Sequence, residues 1–181
     1  IPSNLLALFA SAPHRMLFFA GAAAVIVSML WWACFLGAGY FGYAFPTAPV
    51  PPGWAHAVFT QYGMLPLFMF GFLLTVFPRW TNQPALPQRV YVPVFARIFG
   101  GYLLCHLGLL GMKPLLMVGV AAMLVGWTVA LAALGGVLVR NGASDSHALS
   151  CFIALVVGVI GLAAFGAFVL GAPWQFAFFA I

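Results

Sequence analysis

The chain has almost no acidic side chains. Asp145 is the single carboxylate side chain among 181 residues, and it is accompanied by six Lys and Arg residues. Charged residues make up 4% of the chain and hydrophobic residues 66%, whereas roughly a quarter of the residues of a soluble domain are charged. The chain therefore lacks the polar residues to coat a water-soluble surface. It is predicted to be an integral membrane protein, with the lipid bilayer and not nucleic acid as its partner.

The few carboxylates and the few cysteines each argue against particular classes of protein. Few carboxylates argue against a proton-coupled transporter, which usually relays protons through Asp or Glu, and equally against a self-sufficient oxidase or reductase. The three cysteines, Cys34, Cys105 and Cys151, all lie in apolar runs. That placement excludes a disulfide framework of the secreted type.

The apolar runs predict an all-α fold, a polytopic transmembrane helix bundle, because about 20 apolar residues cross a bilayer as a helix. Residues 1–181 are interpreted as one transmembrane domain, part of a longer chain, since the apolar segment from Trp174 to Ile181 is typical of the start of a sixth helix. Pro66 lies inside the second span and should kink it. The five predicted full spans are residues 16–39, 54–77, 94–111, 114–139 and 147–170.

The basic residues predict the orientation of the bundle. If the first span starts on one side, then Arg15, Arg79, Arg89 and Arg140 all fall on that side, and Lys113 falls on the other. Positive residues accumulate on the cytoplasmic side, so a cytoplasmic N-terminus is expected. The stretch from residue 5 to residue 10 precedes Pro13 and is interpreted as a short interfacial helix.

Two of the four histidines, His56 and His106, are predicted to share a layer near the outer face. His56 falls in the first turn of the second span, and His106 lies about 7 to 8 Å inside the outer end of the third. Imidazole is costly to bury and is a common metal ligand, so both are candidate ligands of a haem held between two helices. Gly63, seven residues after His56, would let a flat macrocycle approach the backbone. The alternative is that His56 is interfacial and that His106 forms a buried hydrogen bond.

The other two histidines, His14 and His147, are predicted to share the cytoplasmic layer. Cys151 follows His147 by four residues, on the same helix face, and Met16 is two residues from His14. Imidazole with soft sulfur donors suits copper, which makes these residues candidate metal ligands. The alternative is that both histidines are interfacial, with their polar edges in water.

Arg97 is predicted to lie about one turn inside the third span from the cytoplasmic side. A permanent charge there must reach the interface or find a partner. Asp145 and a haem propionate are the two candidate partners, and extension of the side chain to the interface is the third possibility.

Several segments of the first half resemble the NnrS family. The opening from Ala7 to Ala22 is similar to the start of those proteins, as is the sequence WAHA at residues 54–57. The most specific similarity is the sequence GFLLTVFPRWT at residues 71–81. The resemblance implies a polytopic protein of the bacterial inner membrane that contains haem and copper and is associated with nitric oxide and denitrification.

The chain departs from that family pattern at two places. The commoner family sequence in the second span is tryptophan, His-x-His, glutamate and methionine. His56 corresponds to the first histidine, while Val58 and Phe59 stand in place of the second histidine and the glutamate. His14-Arg15 also stands where Phe-Arg-Pro is more usual. The resemblance is to a divergent branch, with one metal site lost or rebuilt from His14, His106 and His147.

Two classes of function remain open at the level of sequence. In the first, the protein binds haem b, with His56 and His106 as axial ligands, and acts in nitric oxide stress or membrane electron transfer. Copper is a further candidate cofactor, and Arg97 would meet a propionate of a haem in the inner layer. In the second, it is a non-catalytic membrane subunit or a transporter without a cofactor. Its partners would then be the remaining helices of the same protein or other membrane subunits.

Overall fold

In the computed structural model, residues 4–142 and 145–181 are described. This part of the chain is helical and contains no strand, which confirms the predicted all-α class. Residues 1–3 and 143–144 of the predicted domain lie outside the described residues. The elements are α1 (Leu5–Phe9), α2 (Pro13–Phe41), α3 (Pro52–Phe59), a π turn (Thr60–Met64), α4 (Leu65–Trp80), α5 (Gln88–Gly108), α6 (Lys113–Arg140), α7 (Ser146–Val169) and α8 (Gln175–Ala180).

Five helical segments of the described chain are long and apolar enough to cross a membrane, as predicted. Four of them are α2, α5, α6 and α7, and the other is the continuous helix Pro52–Trp80, made of α3, the π turn and α4. The largest difference from the predicted bounds is in α5, which begins at Gln88 and not at residue 94. Hydropathy detects only the apolar part of a helix, so a polar first turn and the internal Pro93 concealed the true start.

The basic residues collect at one end of the bundle. Because the spans alternate in direction, Arg15, Arg79, Arg89 and Arg140 fall at what we call the basic end. The opposite end carries Lys113, and we call it the Lys113 end. This distribution agrees with the positive-inside rule, and the cytoplasmic location of the basic end stays a prediction.

The second span, Pro52–Trp80, forms the centre of the bundle. Its most apolar window is 56% buried, compared with 28–39% in the other four spans. α2 packs along α4, α5 packs along α6, and α7 packs against α6 and α8. The C-terminal α8, where the start of a sixth helix was expected, buries Ala177 and Ala180. The hydroxyl of Tyr62 donates to the Ala180 carbonyl at 2.7 Å, so α8 is tied to the central span.

Helices α5 and α6 approach each other through glycines. A Cβ atom on Gly101 would lie 2.6 Å from the carbonyl oxygen of Gly119, and a Cβ atom on Gly119 would lie 2.6 Å from Cys105 Sγ. Gly108 and Gly126 are equally confined, by Leu116 and Ile98. The glycines of each helix are seven residues apart and so share one face. Small residues let helix backbones come together in a membrane, where lipid supplies no hydrophobic force between helices.

We expect Gly101→Ala to destabilise the bundle, by about 1–3 kcal/mol, because the added methyl group must push two backbones apart. Reversible unfolding in detergent micelles would measure this loss. Gly100→Ala is the matched control, since no atom lies within 4 Å of a Cβ at that neighbouring position. Equal stability of the two variants would show that the glycine contact does not hold α5 against α6.

Candidate functional site

The pairing of α2 with the second span places one histidine at each end of that interface. At the basic end, His14 Nδ1 lies 3.4 Å from Thr75 Oγ1. Farther along, the ring of Phe68 packs against Gly21, at the place that a side chain on residue 21 would occupy. Toward the Lys113 end, the ring of His56 lies on that of Trp32. The two helices are therefore antiparallel and in one continuous register.

His106 is a buried imidazole with one ring nitrogen free to act as a ligand. Its side chain is 8% exposed, and Nδ1 lies 3.0 Å from the Tyr102 carbonyl oxygen. A carbonyl can only accept a hydrogen bond, so Nδ1 must carry the proton and the neutral ring keeps its lone pair on Nε2. No protein group among the described residues bonds to Nε2. The same arrangement, with one ring nitrogen held by the backbone, orients many metal-binding histidines.

His56 presents a buried ring nitrogen that has no hydrogen-bond partner in the protein. The imidazole stacks on Trp32, with ring centroids 4.4 Å apart and planes 13° apart. Its Nδ1 atom is buried and is not bonded to any described residue. An imidazole nitrogen in that state either costs stability or binds a group that the protein itself does not supply.

The two histidines lie in one aromatic cluster, formed by Trp31, Trp32, Phe35, Phe59 and Tyr102. His106 contacts Tyr102 at 4.3 Å between ring centroids, Phe59 at 5.5 Å and Trp31 at 6.3 Å. Trp31 in turn stacks with Trp32, the partner of His56, at 6.1 Å. The imidazoles are near enough to interact electrostatically. The structure thus brings together the two residues that were predicted to share the outer layer.

An apolar groove of about 370 Å³ lies beside His106, between α2 and α5. Its volume is within the range of small-molecule sites. His106 supplies its only ionisable group, and His56 is not part of its wall. The groove is lined by Val27, Trp31, Leu103, His106, Leu107 and Leu110. A flat apolar ligand that bound there would meet an imidazole on one side and hydrocarbon around it.

Gly63 has a different role from the predicted one. The glycine is buried in the π turn, and its open face is covered by the ring of Tyr102, with Met123 close by. A macrocycle cannot lie on a surface that Tyr102 already occupies. The expectation that Gly63 supports a haem is therefore replaced by a packing role, in which the missing side chain makes room for Tyr102.

A kink was predicted at Pro66, and the structure has a π turn shortly before this proline, at Thr60–Met64. Pro66 has no N–H to give to the carbonyl of Tyr62, four residues earlier. The indole N–H of Trp127, on α6, donates to that carbonyl at 2.9 Å. The N–H of Leu65 bonds five residues back, to Thr60. A helix broken in this way is tolerated in a membrane because a neighbouring helix satisfies the freed carbonyl.

His14 is held at the basic end by a threonine. The hydroxyl of Thr75 donates its proton to the Gly71 carbonyl at 2.8 Å. Thr75 Oγ1 can then only accept from His14 Nδ1, over a long 3.4 Å. His14 is half-buried and packs edge-on against Phe18 at 6.1 Å. Within residues 4–142 and 145–181, no group bonds to His14 Nε2, and no set of three potential metal ligands includes His14.

His147 and Cys151 do not join His14 in a metal site. His147 is exposed and lies with Trp80 and Asp145 around a shallow pocket, while Cys151 is half-buried one turn farther along α7. Among residues 4–142 and 145–181, no three His, Cys, Asp or Glu side chains come together in a way that could hold a metal ion. The structure therefore does not assemble the inner copper ligands that the sequence suggested.

Arg97 reaches toward the basic end and not toward Asp145. Its guanidinium donates to the Pro93 carbonyl, one turn nearer that end, at 3.4 Å, and the side chain is exposed. Asp145 instead caps α7 by accepting from the N–H groups of His147 and Ala148 at 2.8 and 3.1 Å. Of the three predicted possibilities, the geometry favours extension to the interface.

Comparison with protein families adds the remaining finding. The family model described as NnrS protein matches residues 8–181, which is nearly the whole chain. The chain belongs to the NnrS family. This confirms the family to which the first half was similar, and it extends the relationship over the second half.

Neither curated proteins nor solved structures yield a match to this NnrS-family chain. The residues around its histidines must therefore be assessed from their own geometry. Sequence reasoning missed Tyr102, although its spacing of four residues before His106 put both on one helix face. By sequence position alone, Trp31 and Trp32 lie where an aromatic belt at the membrane interface is expected. No local signal distinguishes a belt tryptophan from one that packs on an imidazole.

The bond between Trp127 and Tyr62 predicts a measurable loss of stability. Trp127→Phe keeps an aromatic ring against Phe70 but leaves the Tyr62 carbonyl without a donor, which should cost about 1–3 kcal/mol. Pro66→Ala restores a backbone N–H aimed at the same carbonyl. In that background Trp127→Phe should cost less, by reversible unfolding in micelles. Equal costs in the two backgrounds would contradict the proposed replacement of the proline's missing bond.

Proposed function

We propose that this NnrS-family protein binds haem b within the membrane, with His106 as the main axial ligand and His56 as the candidate second ligand. Its role would be in the nitric oxide and denitrification stress response of the bacterial inner membrane, or in membrane electron transfer. When bound, haem supplies an iron centre that carries single electrons or binds small gases, depending on its axial ligands. The residues of this chain would anchor the haem and shield it from water.

The observation that carries the proposal is the state of His106. The hydrogen bond from Nδ1 to Tyr102 fixes the tautomer and the ring plane, so Nε2 offers its lone pair without any rearrangement. The imidazole borders the apolar groove between α2 and α5. An imidazole with a free lone pair beside an apolar groove suits haem, because haem needs an imidazole ligand and apolar walls.

His56 fits the second position less directly. Its buried Nδ1 has no protein partner, which favours a ligand role. However, the ring is stacked flat on Trp32 and lies outside the groove that His106 borders. Binding of both histidines to one iron would require the aromatic cluster to shift. We therefore assign the haem ligand to His106 alone, and a haem held by one imidazole would be able to bind a small gas.

A cofactor-free membrane subunit is the alternative, and one observation favours it. His106 is already hydrogen-bonded and packed among Tyr102, Phe59 and Trp31, which is also how a purely structural histidine is accommodated. Copper is not part of the proposal, since no three potential ligands converge in the described residues.

The optical spectrum of the purified full-length protein, reduced minus oxidised, tests the proposal. We expect a haem band in the wild type, its loss in His106→Ala, and an unchanged band in His56→Ala, since His56 lies outside the groove that His106 borders; a shifted band would instead make His56 the second ligand. His147→Ala is the control, because this exposed histidine lies at the basic end, and its spectrum should be unchanged.

Two results would refute the proposal: the absence of a band from the wild type, or an unchanged band in His106→Ala. His106→Gln guards against misfolding, since its side-chain amide can still donate to the Tyr102 carbonyl but is a poor iron ligand. Its thermal unfolding should match that of the haem-free wild type while its haem band is lost. Equal loss in variants of all four histidines would contradict the division into two layers.

A further inference from the structure

Four buried polar atoms lack a hydrogen-bond partner in the described part of the protein. They are Ser28 Oγ and Trp31 Nε1 on α2, His56 Nδ1 on α3, and Thr60 Oγ1 in the π turn. Ser28 is 1% exposed and Trp31 is 8% exposed. On each helix the two residues are three or four positions apart and so share one face.

Ser28 and Thr60 face each other across the interface between α2 and the second span. Trp32 stacks on His56. Ser28 lies one turn from Trp32 toward the bundle centre, and Thr60 lies one turn from His56 in the same direction. The antiparallel register that pairs Gly21 with Phe68 brings Ser28 opposite Thr60. Ser28 and Thr60 thus share one level of this interface, and His56 lies one turn from Thr60. Trp31, about 4.5 Å from Ser28 along α2, lies on the side of α2 that contacts His106.

The hydroxyl of Ser28 cannot be satisfied by its own helix. A serine in a helix usually bonds to the carbonyl four residues earlier, which here belongs to Ala24. That carbonyl accepts the helical N–H of Ser28 itself and also the Tyr102 hydroxyl, at 2.7 Å. Both of its lone pairs are used. Ser28 lies beside the Tyr102 hydroxyl but not in bonding geometry.

We propose that bound water molecules occupy this interface, hydrogen-bonded to Ser28, Trp31, His56 and Thr60. Unpaired buried polar groups are rare in native proteins, and internal water is the usual partner where several converge. Inside a membrane, bulk water cannot serve instead. The hydroxyls of Ser28 and Thr60 can donate and accept, and the indole of Trp31 can only donate. Together with the imidazole nitrogen of His56, they offer a buried water the two to four hydrogen-bond partners that it needs.

The water site continues from the Lys113 end into the middle of the bundle. It begins at His56, in the second turn of α3, and reaches Ser28 next to the Tyr102 hydroxyl. Such a path supplies exchangeable protons to the neighbourhood of Tyr102 and His106 in an otherwise apolar interior. The inference is independent of haem binding by His106, but it assigns His56 Nδ1 to water and not to iron. Of its four groups, Trp31 alone belongs to the groove wall.

The indole N–H groups of Trp31 and Trp127 provide the test. Both tryptophans are buried, at 8% and 3% exposure, but Trp127 donates to the Tyr62 carbonyl and Trp31 has no protein acceptor. In the ¹⁵N-labelled protein in micelles, we expect a cross-peak between water and the Trp31 N–H. We also expect its exchange with solvent to be about tenfold or more faster than that of Trp127. Trp31→Phe assigns the signal.

The cross-peak should disappear in the double variant Ser28→Ala, Thr60→Val and persist in Thr128→Val. Thr128 is the matched control, since its exposed hydroxyl is already bonded to the Val125 carbonyl at 2.9 Å. A Trp31 N–H that shows no water cross-peak and exchanges as slowly as that of Trp127 would overturn the proposal.

A double-mutant cycle gives an independent measurement. Ser28 and Thr60 share no direct hydrogen bond, so a coupling between Ser28→Ala and Thr60→Val that depends on the Thr60 hydroxyl reports a bridging group and not side-chain packing. We expect a coupling of about threefold or more in the unfolding equilibrium constant. Thr60→Ser, which keeps the hydroxyl, should preserve it. Strictly additive effects would overturn the shared water.

Discussion

A membrane-embedded helix must satisfy each backbone carbonyl inside the protein, and the centre of this bundle depends on how that requirement is met at Tyr62. Pro66 withholds the usual N–H from the Tyr62 carbonyl, and Trp127 supplies one from α6. The Tyr62 hydroxyl donates to the Ala180 carbonyl and so holds α8 against the second span. Because the second span is the central one, this residue fixes the position of elements on both sides of it.

The π turn that accompanies Pro66 determines what the site contains. It places Gly63 opposite Tyr102, whose ring fills the space over the glycine. From there the Tyr102 hydroxyl reaches the Ala24 carbonyl on α2, and its own carbonyl accepts from His106. A single tyrosine thus connects three helices and sets the ring plane of the histidine. The orientation of His106 follows from backbone geometry in the second span, one helix away.

The sequence was sufficient for what depends on composition and periodicity. The helical class, the five spans and the layer shared by His56 and His106 all follow from apolar length and from the alternating direction of the helices. The sequence was insufficient for contacts between helices. Gly63 is equally compatible with a macrocycle and with a tyrosine ring, and nothing local to Trp127 indicates that its indole repairs a bond lost at Pro66. Such contacts depend on rotation and register, which hydropathy does not encode.

The two histidines of the aromatic cluster are not equivalent, and this difference bears on function. His106 has its Nδ1 bonded to the backbone and borders an apolar groove, whereas His56 has a buried Nδ1 without a protein partner and lies one turn from Thr60. A second axial imidazole would favour electron transfer, while an open position favours binding of a small gas. Since His56 lies outside the groove and beside unpaired hydroxyls, its surroundings suit contact with water better than a bond to the same iron. The geometry therefore favours His106 as the ligand of the proposed haem and His56 as part of the proposed water site.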